Sequence, residues 1–468
     1  MFFVDFLRQI RKKILHHEPL IAVEISRENL LHNLNEFKKI YPKLEFAPVL
    51  KSNAYGHGIV EMAKILDQEN SPFFCVDSFF EARQLRHEGI KTKILIIGYV
   101  RPEEIRSSRL KNAAFTIVDL EQLKEIGNIP SCPRRGGPMR HRTGVVGEEK
   151  DTPIGEINNH PLPLLEKEGS LFRKKIKIHL KIDTGMHRQG ILLSEIEETI
   201  KIIKNSKNMI LEGICSHLAD ADNSDEKFTL EQIENWNRAA KIFRQNFGGI
   251  KYFHLSASAG VNFAGKIDAN VARLGIGLYG IKTQNSNSKT QNYGVPPLGG
   301  TKIVNLTPDP QPDFAMTKSL RAGLLGKERG AENKLDLKPA LEMKTIITGV
   351  KEIEPGEVIG YGKTFMTKEK MKIATVPAGY FEGIDRRLSN CGFMMVKNQL
   401  CSIIGRVSMN ITTIDVSAVP GVKIGDEVIL ISQNPADKNS VERIAEFCQT
   451  IPYEILVKIP AHLKRVVF

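Results

Sequence analysis

Phe46-Ala47-Pro48-Val49-Leu50-Lys51-Ser52-Asn53-Ala54-Tyr55-Gly56-His57-Gly58 joins an apolar run, one lysine and a glycine-bounded turn. An amphipathic stretch follows at once, with Ile59, Val60, Met62, Ala63, Ile65 and Leu66 near helical spacing. The pattern is strand, turn, helix, with the lysine at the mouth of the strand. A lysine on its own at such a place is more often solvated. One held out of water loses its proton more easily, and that is how an amine becomes a nucleophile towards a carbonyl.

Working outward, short apolar runs alternate with helical patterns as far as Gly280. The runs are 46–50, 73–76, 94–97, 115–118, 176–182, 210–215, 252–255 and 271–276. Helical spacing marks 59–66, 194–203 and 230–243. Eight strands separated by helices predict an α/β fold, a parallel (β/α)8 TIM-type barrel, with a doubly wound sheet as the alternative. In a barrel the chemistry belongs at the C-terminal strand ends. Lys51, His217, Ser258 and Gly275 all fall at or just past such ends.

From about Leu341 the texture changes to period-two runs at 344–350, 372–376, 402–407, 411–416 and 427–431, punctuated by Pro355-Gly356 and Gly425-Asp426. This predicts a mostly β C-terminal domain. Two stretches fit neither pattern: 132–170 and 285–333 are rich in Pro, Gly and charge and lack an apolar period. The expected organisation is an N-terminal extension over 1–20, a barrel over 21–283 with an insertion at about 132–170, a disordered insertion over 284–333, and a β domain over 334–468.

Composition narrows the function. The net charge of +12 is spread along the 468 residues without a dense basic run and interleaved aromatics, which argues against nucleic acid as a partner. The six cysteines form no CxxC pair, so a reduced, cytoplasmic setting is expected, with no metal site. Met1 to His17 turns basic too early for a secretory signal, and no run approaches the ~20 apolar residues of a membrane span.

The segment from Lys51 to Gly58 resembles the cofactor motif of the alanine racemase family, and further segments agree in order. They are Lys181-Ile182-Asp183-Thr184-Gly185-Met186-His187-Arg188, Ser216 to Asp222, Ala272 to Gly280, Gly360-Tyr361-Gly362 and Gly405 to Asn410. The resemblance implies racemisation of L-alanine to D-alanine with pyridoxal 5′-phosphate (PLP), supplying D-alanine for peptidoglycan. It makes Lys51 the amine that takes the cofactor. Tyr55, Ser258 and the backbone at Gly275-Ile276 would hold its phosphate, His217 would pack on its ring, and Arg273 would face the ring nitrogen. An arginine cannot accept a proton, so the ring nitrogen stays unprotonated and the cofactor is a weaker electron sink, which suits a racemase.

By the same resemblance Lys51 and Tyr361 are the two bases, one for each face of the substrate Cα. Tyr361 would come from the second subunit of a homodimer with shared active sites. Arg188 would hold the substrate carboxylate, and Lys181 is the position of a carbamylated lysine in many relatives. Tyr380 and Met409 would line the substrate entrance, with Arg386 at the same gate. The chain departs from the family at Ala257, where Asn is common, and at Asn410, where Asp is frequent. Ala461 stands near the place of a phosphate-binding tyrosine. A broad-specificity or serine racemase and a non-catalytic PLP-binding protein are the alternatives. A decarboxylase would need an acidic residue where Arg273 stands.

Overall fold

A computed structural model describes residues 19–127, 175–222, 225–282 and 335–468. All of 132–170 and 284–333, and residues 1–18 of the expected N-terminal extension, lie outside the described residues.

Eight parallel strands form the first domain: β2 (Glu45–Pro48), β3 (Phe74–Val76), β4 (Ile94–Ile96), β5 (Ala113–Ile117), β6 (Ile176–Lys181), β7 (Met209–Cys215), β8 (Tyr252–His254) and β9 (Val271–Leu274). β3 to β8 pair in chain order, and β2 pairs with β9. Two seams close the ring. Val49 bridges Cys75, which joins β2 to β3. The Arg273 and Asn270 amides donate to the Ser256 and Phe253 carbonyls at 3.0 and 3.1 Å, which joins β8 to β9. Closure decides for the barrel over the doubly wound sheet.

The helices on its outside form for local reasons. In α1 (Arg27–Ile40) the Ser26 hydroxyl caps the first turn by accepting from the Asn29 amide, and Leu30, Leu34 and Phe37 recur on the buried face. α2 (Ile59–Leu66) has the bounds its spacing predicts. α6 (Ile196–Asn205) starts two residues late because a 3₁₀ turn, Leu193–Glu195, takes up the start. α7 (Lys227–Asn246) runs past its predicted 230–243 at both ends, and fully buries Trp236. α3 (Phe79–His87), α4 (Pro102–Ser107) and α5 (Leu120–Gly127) complete the described set in this domain.

The second domain has three sheets. β1 (Ala22–Ile25), β10 (Leu341–Ile346), β15 (Phe393–Val396), β16 (Gln399–Ser402), β18 (Glu427–Ile431) and β19 (Lys464–Val467) form the largest. β11 (Gly349–Ile353), β14 (Met371–Val376) and β17 (Thr412–Asp415) form the second, and β12 (Val358–Ile359) with β13 (Phe365–Met366) the third. α8 (Val441–Phe447) and α9 (Pro452–Val457) lie near the C-terminus.

Three sequence expectations change. The 21–283 barrel boundary begins too early, because β1 pairs antiparallel with β10 and parallel with β19 and so belongs to the β domain. The run 344–350 is two strands: β10 pairs β18 and β11 pairs β14, with the chain changing sheets at Ile347-Thr348. Alternation reports which face is buried, not which sheet. The run 402–407 is largely not strand. The pairing strand is Gln399–Ser402, turned back from β15 by Lys397 and Asn398, both at positive φ.

The junction is fixed at Gly280. Its φ is +85°, and a Cβ there would lie 1.9 Å from the Lys338 carbonyl oxygen. Asn33 holds the same carbonyl at 2.8 Å and that of Leu278 at 3.1 Å. Gly280→Ala is therefore expected to cost more than about 1 kcal/mol of stability in denaturant unfolding, and a cost within error would show that the junction yields.

Candidate active site

Lys51 follows β2 on the C-terminal side of the barrel, and the backbone after it takes an uncommon form. Ser52, Asn53, Ala54 and Tyr55 have φ of 56°, 54°, 52° and 53°, and Gly56 follows at 79°. Left-handed backbone costs a non-glycine residue roughly 1–2 kcal/mol, so four in succession need outside support. Glu81 of α3 supplies some, accepting from the Ser52 amide and the Asp77 amide, each at 2.7 Å. The Asn53 side chain accepts from the Ile59 amide at 2.9 Å.

Beneath the turn lies His57. Its Nδ1 is 2.9 Å from the Tyr55 carbonyl and 3.1 Å from that of Ala54. Carbonyls only accept, so the ring carries its proton on Nδ1. Burial lowers the His57 pKa to about 4 and keeps it neutral. Its ring stacks on Tyr279 at 4.3 Å, and the Tyr279 hydroxyl donates to the Val49 carbonyl at 2.7 Å.

A candidate anion cradle stands beside the turn. The Ser258 hydroxyl accepts from the Gly275 and Gly277 amides, each at 3.1 Å. A Cβ on Gly275 would lie 2.9 Å from the Tyr55 hydroxyl and 3.9 Å from Ser258 Oγ, so glycine is what leaves the cradle open. Ile276 opens the short 3₁₀ turn that follows. Burial, with Tyr453 nearby, raises the Tyr55 pKa and keeps its phenol a donor. Tyr453 of α9 packs on Tyr55 at 5.8 Å between ring centroids. The sequence reading did not single out Tyr453; Ala461, which stands near the place of a phosphate-binding tyrosine in some relatives, is exposed. The signal was available as an aromatic at the start of a Pro-initiated helix, Pro452-Tyr453.

Arg273 is buried on β9 and donates to the carbonyls of Ser216, His254 and Leu255 at 2.6, 2.7 and 2.9 Å. It also donates to His254 Nδ1 at 2.6 Å. That fixes the His254 proton on Nε2, which lies 2.8 Å from His179 Nδ1. The His179 proton is then on Nε2, facing Glu212 at 3.8 Å. Glu212 is held by Lys93 at 2.8 Å and Lys177 at 3.4 Å. A file of neutral imidazoles thus runs from the arginine to an anion on the barrel floor. Gly213 leaves room for it, since a Cβ there would meet His179 Nδ1 at 2.7 Å.

His217 sits beside Arg273, its Nδ1 3.3 Å from the guanidinium. Burial and then Arg273 lower its pKa to about 3, leaving a neutral ring. The Lys51 charge is among those that lower the pKa values of His217 and Lys181. Burial and Arg188 lower the Lys181 pKa, and its amine donates to Gln189 at 3.1 Å. Asp183 sets the loop that carries Arg188 by accepting from the Gly185 and His187 amides at 2.9 and 3.1 Å.

One group of expected residues is not gathered at the barrel. Tyr361 is 71 % exposed, and Tyr380 and Met409 are 44 % and 55 % exposed. All three lie on the β domain. The Tyr380 and Phe381 amides bond the Ser408 and Met409 carbonyls at 3.0 and 2.9 Å, so two of them share one surface. Arg406 adjoins the Tyr361 turn, 3.2 Å from where a Gly362 Cβ would stand.

The alanine racemase C-terminal domain model matches 340–467, and the N-terminal domain model matches 25–139 and 162–283. The chain belongs to the alanine racemase family. It is 30 % identical over 448 residues to alanine racemase 1 of Caldanaerobacter subterraneus, covering 95 % of this chain and 94 % of that one. The alanine racemase of Methanococcus maripaludis is also 30 % identical, with coverage of 95 % and 98 %. Among solved structures, alanine racemase of Clostridium difficile aligns with a TM-score of 0.72 at 26 % identity over 96 % of both chains. The same protein in complex with cycloserine aligns at 0.70.

The family's cofactor is PLP, and the residues present fit it: a lysine at a strand end, a glycine-opened cradle of hydroxyls and amides for a phosphate, and a neutral histidine beside a buried arginine. Among the described residues no helix is long and apolar enough to cross a membrane.

Burial alone would raise the Glu212 carboxyl, but the facing His179 and Lys93 bring it down to about 2. A depressed carboxylate contributes stability that is present above its unfolded value of 4.5 and lost as pH falls towards 2. Glu212→Gln is expected to lose about 3 kcal/mol at pH 7, because it leaves the largely buried Lys93 ammonium without its carboxylate. In thermal unfolding the gap to the parent should narrow between pH 5 and pH 2. A gap that stays constant across that range would show the floor charge to be immaterial.

Proposed function

We propose that the protein interconverts L- and D-alanine using PLP, with Lys51 and Tyr361 as bases on opposite faces of the substrate Cα, and that it supplies D-alanine for peptidoglycan in the cytoplasm. The observation that carries the reading is the gathering of Lys51, Tyr55, Ser258, Gly275, His217 and Arg273 at one end of one barrel, within a chain of this family.

When bound, PLP acidifies the proton on the substrate Cα by drawing its electrons into the ring. Everything else is done by side chains. The Lys51 amine holds the cofactor and then takes or returns the Cα proton on its own face. The Tyr361 phenol does the same on the other face. Tyr55, Ser258 and the Gly275-Ile276 backbone hold the phosphate as donors, and Tyr453 backs them. Arg273 faces the ring nitrogen as a donor only. Arg188 takes the substrate carboxylate, and a carbamylated Lys181 would orient it; the lowered pKa of Lys181 favours that modification, which requires a neutral amine.

A single chain leaves the Tyr361 side chain without a hydrogen-bond or ring partner among the described residues, and the same domain also exposes Met366, Tyr380, Phe381, Met409 and Ile411. Exposed apolar groups in one region mark a partner surface. A homodimer in which each Tyr361 serves the other barrel, with Tyr380 and Met409 at its entrance, accounts for this.

Borohydride treatment of purified protein is expected to fix PLP on Lys51, read by peptide mass; a label on another lysine would overturn the assignment. Tyr361→Phe should keep the cofactor and lose about 10²–10⁴-fold in turnover, the usual size of an acid–base contribution. Mixing Lys51→Ala with Tyr361→Phe protein under subunit exchange should restore turnover, because a mixed dimer has one intact site. No recovery despite exchange would place both bases in one chain.

A further inference from the structure

Arg465 on β19 reaches out of the second domain to the turn that follows Lys51. Its Nε and Nη2 donate to the Gly56 carbonyl at 3.2 and 2.8 Å. Its Nη1 donates to the Pro460 and Leu463 carbonyls at 2.7 and 2.6 Å, and Nη2 reaches that of Ile459 at 3.4 Å. One guanidinium therefore gathers the segment after α9 and ties it to Gly56.

That carbonyl is a special one. The others of the turn are met from within the first domain: Ser52 by the Gly56 amide, Asn53 by the Gly58 amide, and Ala54 and Tyr55 by His57. Gly56 ends the left-handed run, and its carbonyl is met from the other domain. α9 closes over the same residue. A Cβ on Gly56 would lie 2.2 Å from the Leu456 carbonyl oxygen. One turn earlier in α9, Tyr453 packs on Tyr55. The end of the chain beyond Arg465 is itself pinned, with the Phe468 amide on the Ile25 carbonyl at 3.1 Å. A strained turn keeps its shape only while its surroundings hold it, and here part of the hold is the C-terminal strand.

We propose that Arg465 is a positioning residue for cofactor retention: it clamps the left-handed turn between Lys51 and Gly56 against the second domain, so that docking of the C-terminal strand and loading of Lys51 with PLP are one coupled equilibrium. This rests on the reading that Lys51 and Tyr55 hold PLP. Coupling is reciprocal: what the strand does for the cofactor, the cofactor does for the strand. A lysine cannot replace the clamp, because a single ammonium cannot span carbonyls that a planar fork meets on two edges.

The test compares full-length parent, Arg465→Lys, Arg465→Met and Lys464→Met; Lys464 is the exposed neighbour on the same strand. PLP affinity is measured by absorbance titration of cofactor-stripped protein. Release of Phe468 by carboxypeptidase is timed with and without PLP. The expected result is PLP binding weakened about 10–100-fold in both Arg465 variants, the size of a lost charged hydrogen bond, with Lys464→Met unchanged. PLP should slow Phe468 release in the parent and not in Arg465→Lys. A purely structural role would lower the melting temperature of stripped and loaded protein equally and leave PLP affinity as in the parent, which would overturn the proposal. So would an equal loss in Lys464→Met, or Phe468 release indifferent to PLP in the parent. If Arg465→Met does not fold, Arg465→Lys decides by the same readings. Failure of the underlying reading looks different: borohydride would then not fix PLP on Lys51 in the parent.

Discussion

The hydrogen bonds that hold four successive left-handed residues after Lys51 are the constraint on which the rest depends. Such backbone is avoided by side-chain-bearing residues because Cβ crowds the following carbonyl. Here it is maintained by Glu81 from one side, Asn53 from within, His57 from below and Arg465 from the far domain. The geometry carries the chain away from the β2 strand end at Lys51 and sends Tyr55 towards Ser258 and Gly275. The barrel supplies the strand end, and the turn converts it into a site.

A second constraint is electrostatic. Arg273 is buried without a carboxylate, its charge spread over three carbonyls and two imidazoles. Its proton-donating character dictates the tautomers of His254 and His179 in turn, as far as Glu212. Under the proposed function, the ring nitrogen would face a group that can only donate, held in place by a hydrogen-bonded file that ends at Glu212. That is consistent with a cofactor tuned for proton exchange at Cα.

Much of this was legible in the sequence. The eight apolar runs locate the barrel strands to within a few residues, since a buried parallel strand is short, continuous and apolar. Ser258 and Gly275 meet Tyr55 in space as their places after strand ends imply, and His217, also after a strand end, meets Arg273. The second domain was less legible. Period-two spacing cannot say that Lys344–Ile346 and Gly349–Val350 serve different sheets, nor that the hairpin at Lys397-Asn398 turns without a glycine. Tyr453 was overlooked because linear distance from Lys51 gives no hint that α9 lies on Tyr55.

The sequence by itself determined the strand–helix alternation and the lysine at a strand mouth, because these follow from local periodicity, while the residues proposed to hold the phosphate were legible only through the resemblance to the family. Only the tertiary structure decided that Ala22–Ile25 leaves the barrel for the second sheet, that His254 and His179 link Arg273 to Glu212, and that Arg465 grips Gly56. Each of these joins residues distant in the chain through a directional hydrogen bond. Such a bond leaves no period in the sequence, and it exists only once packing has brought donor and acceptor within about 3 Å.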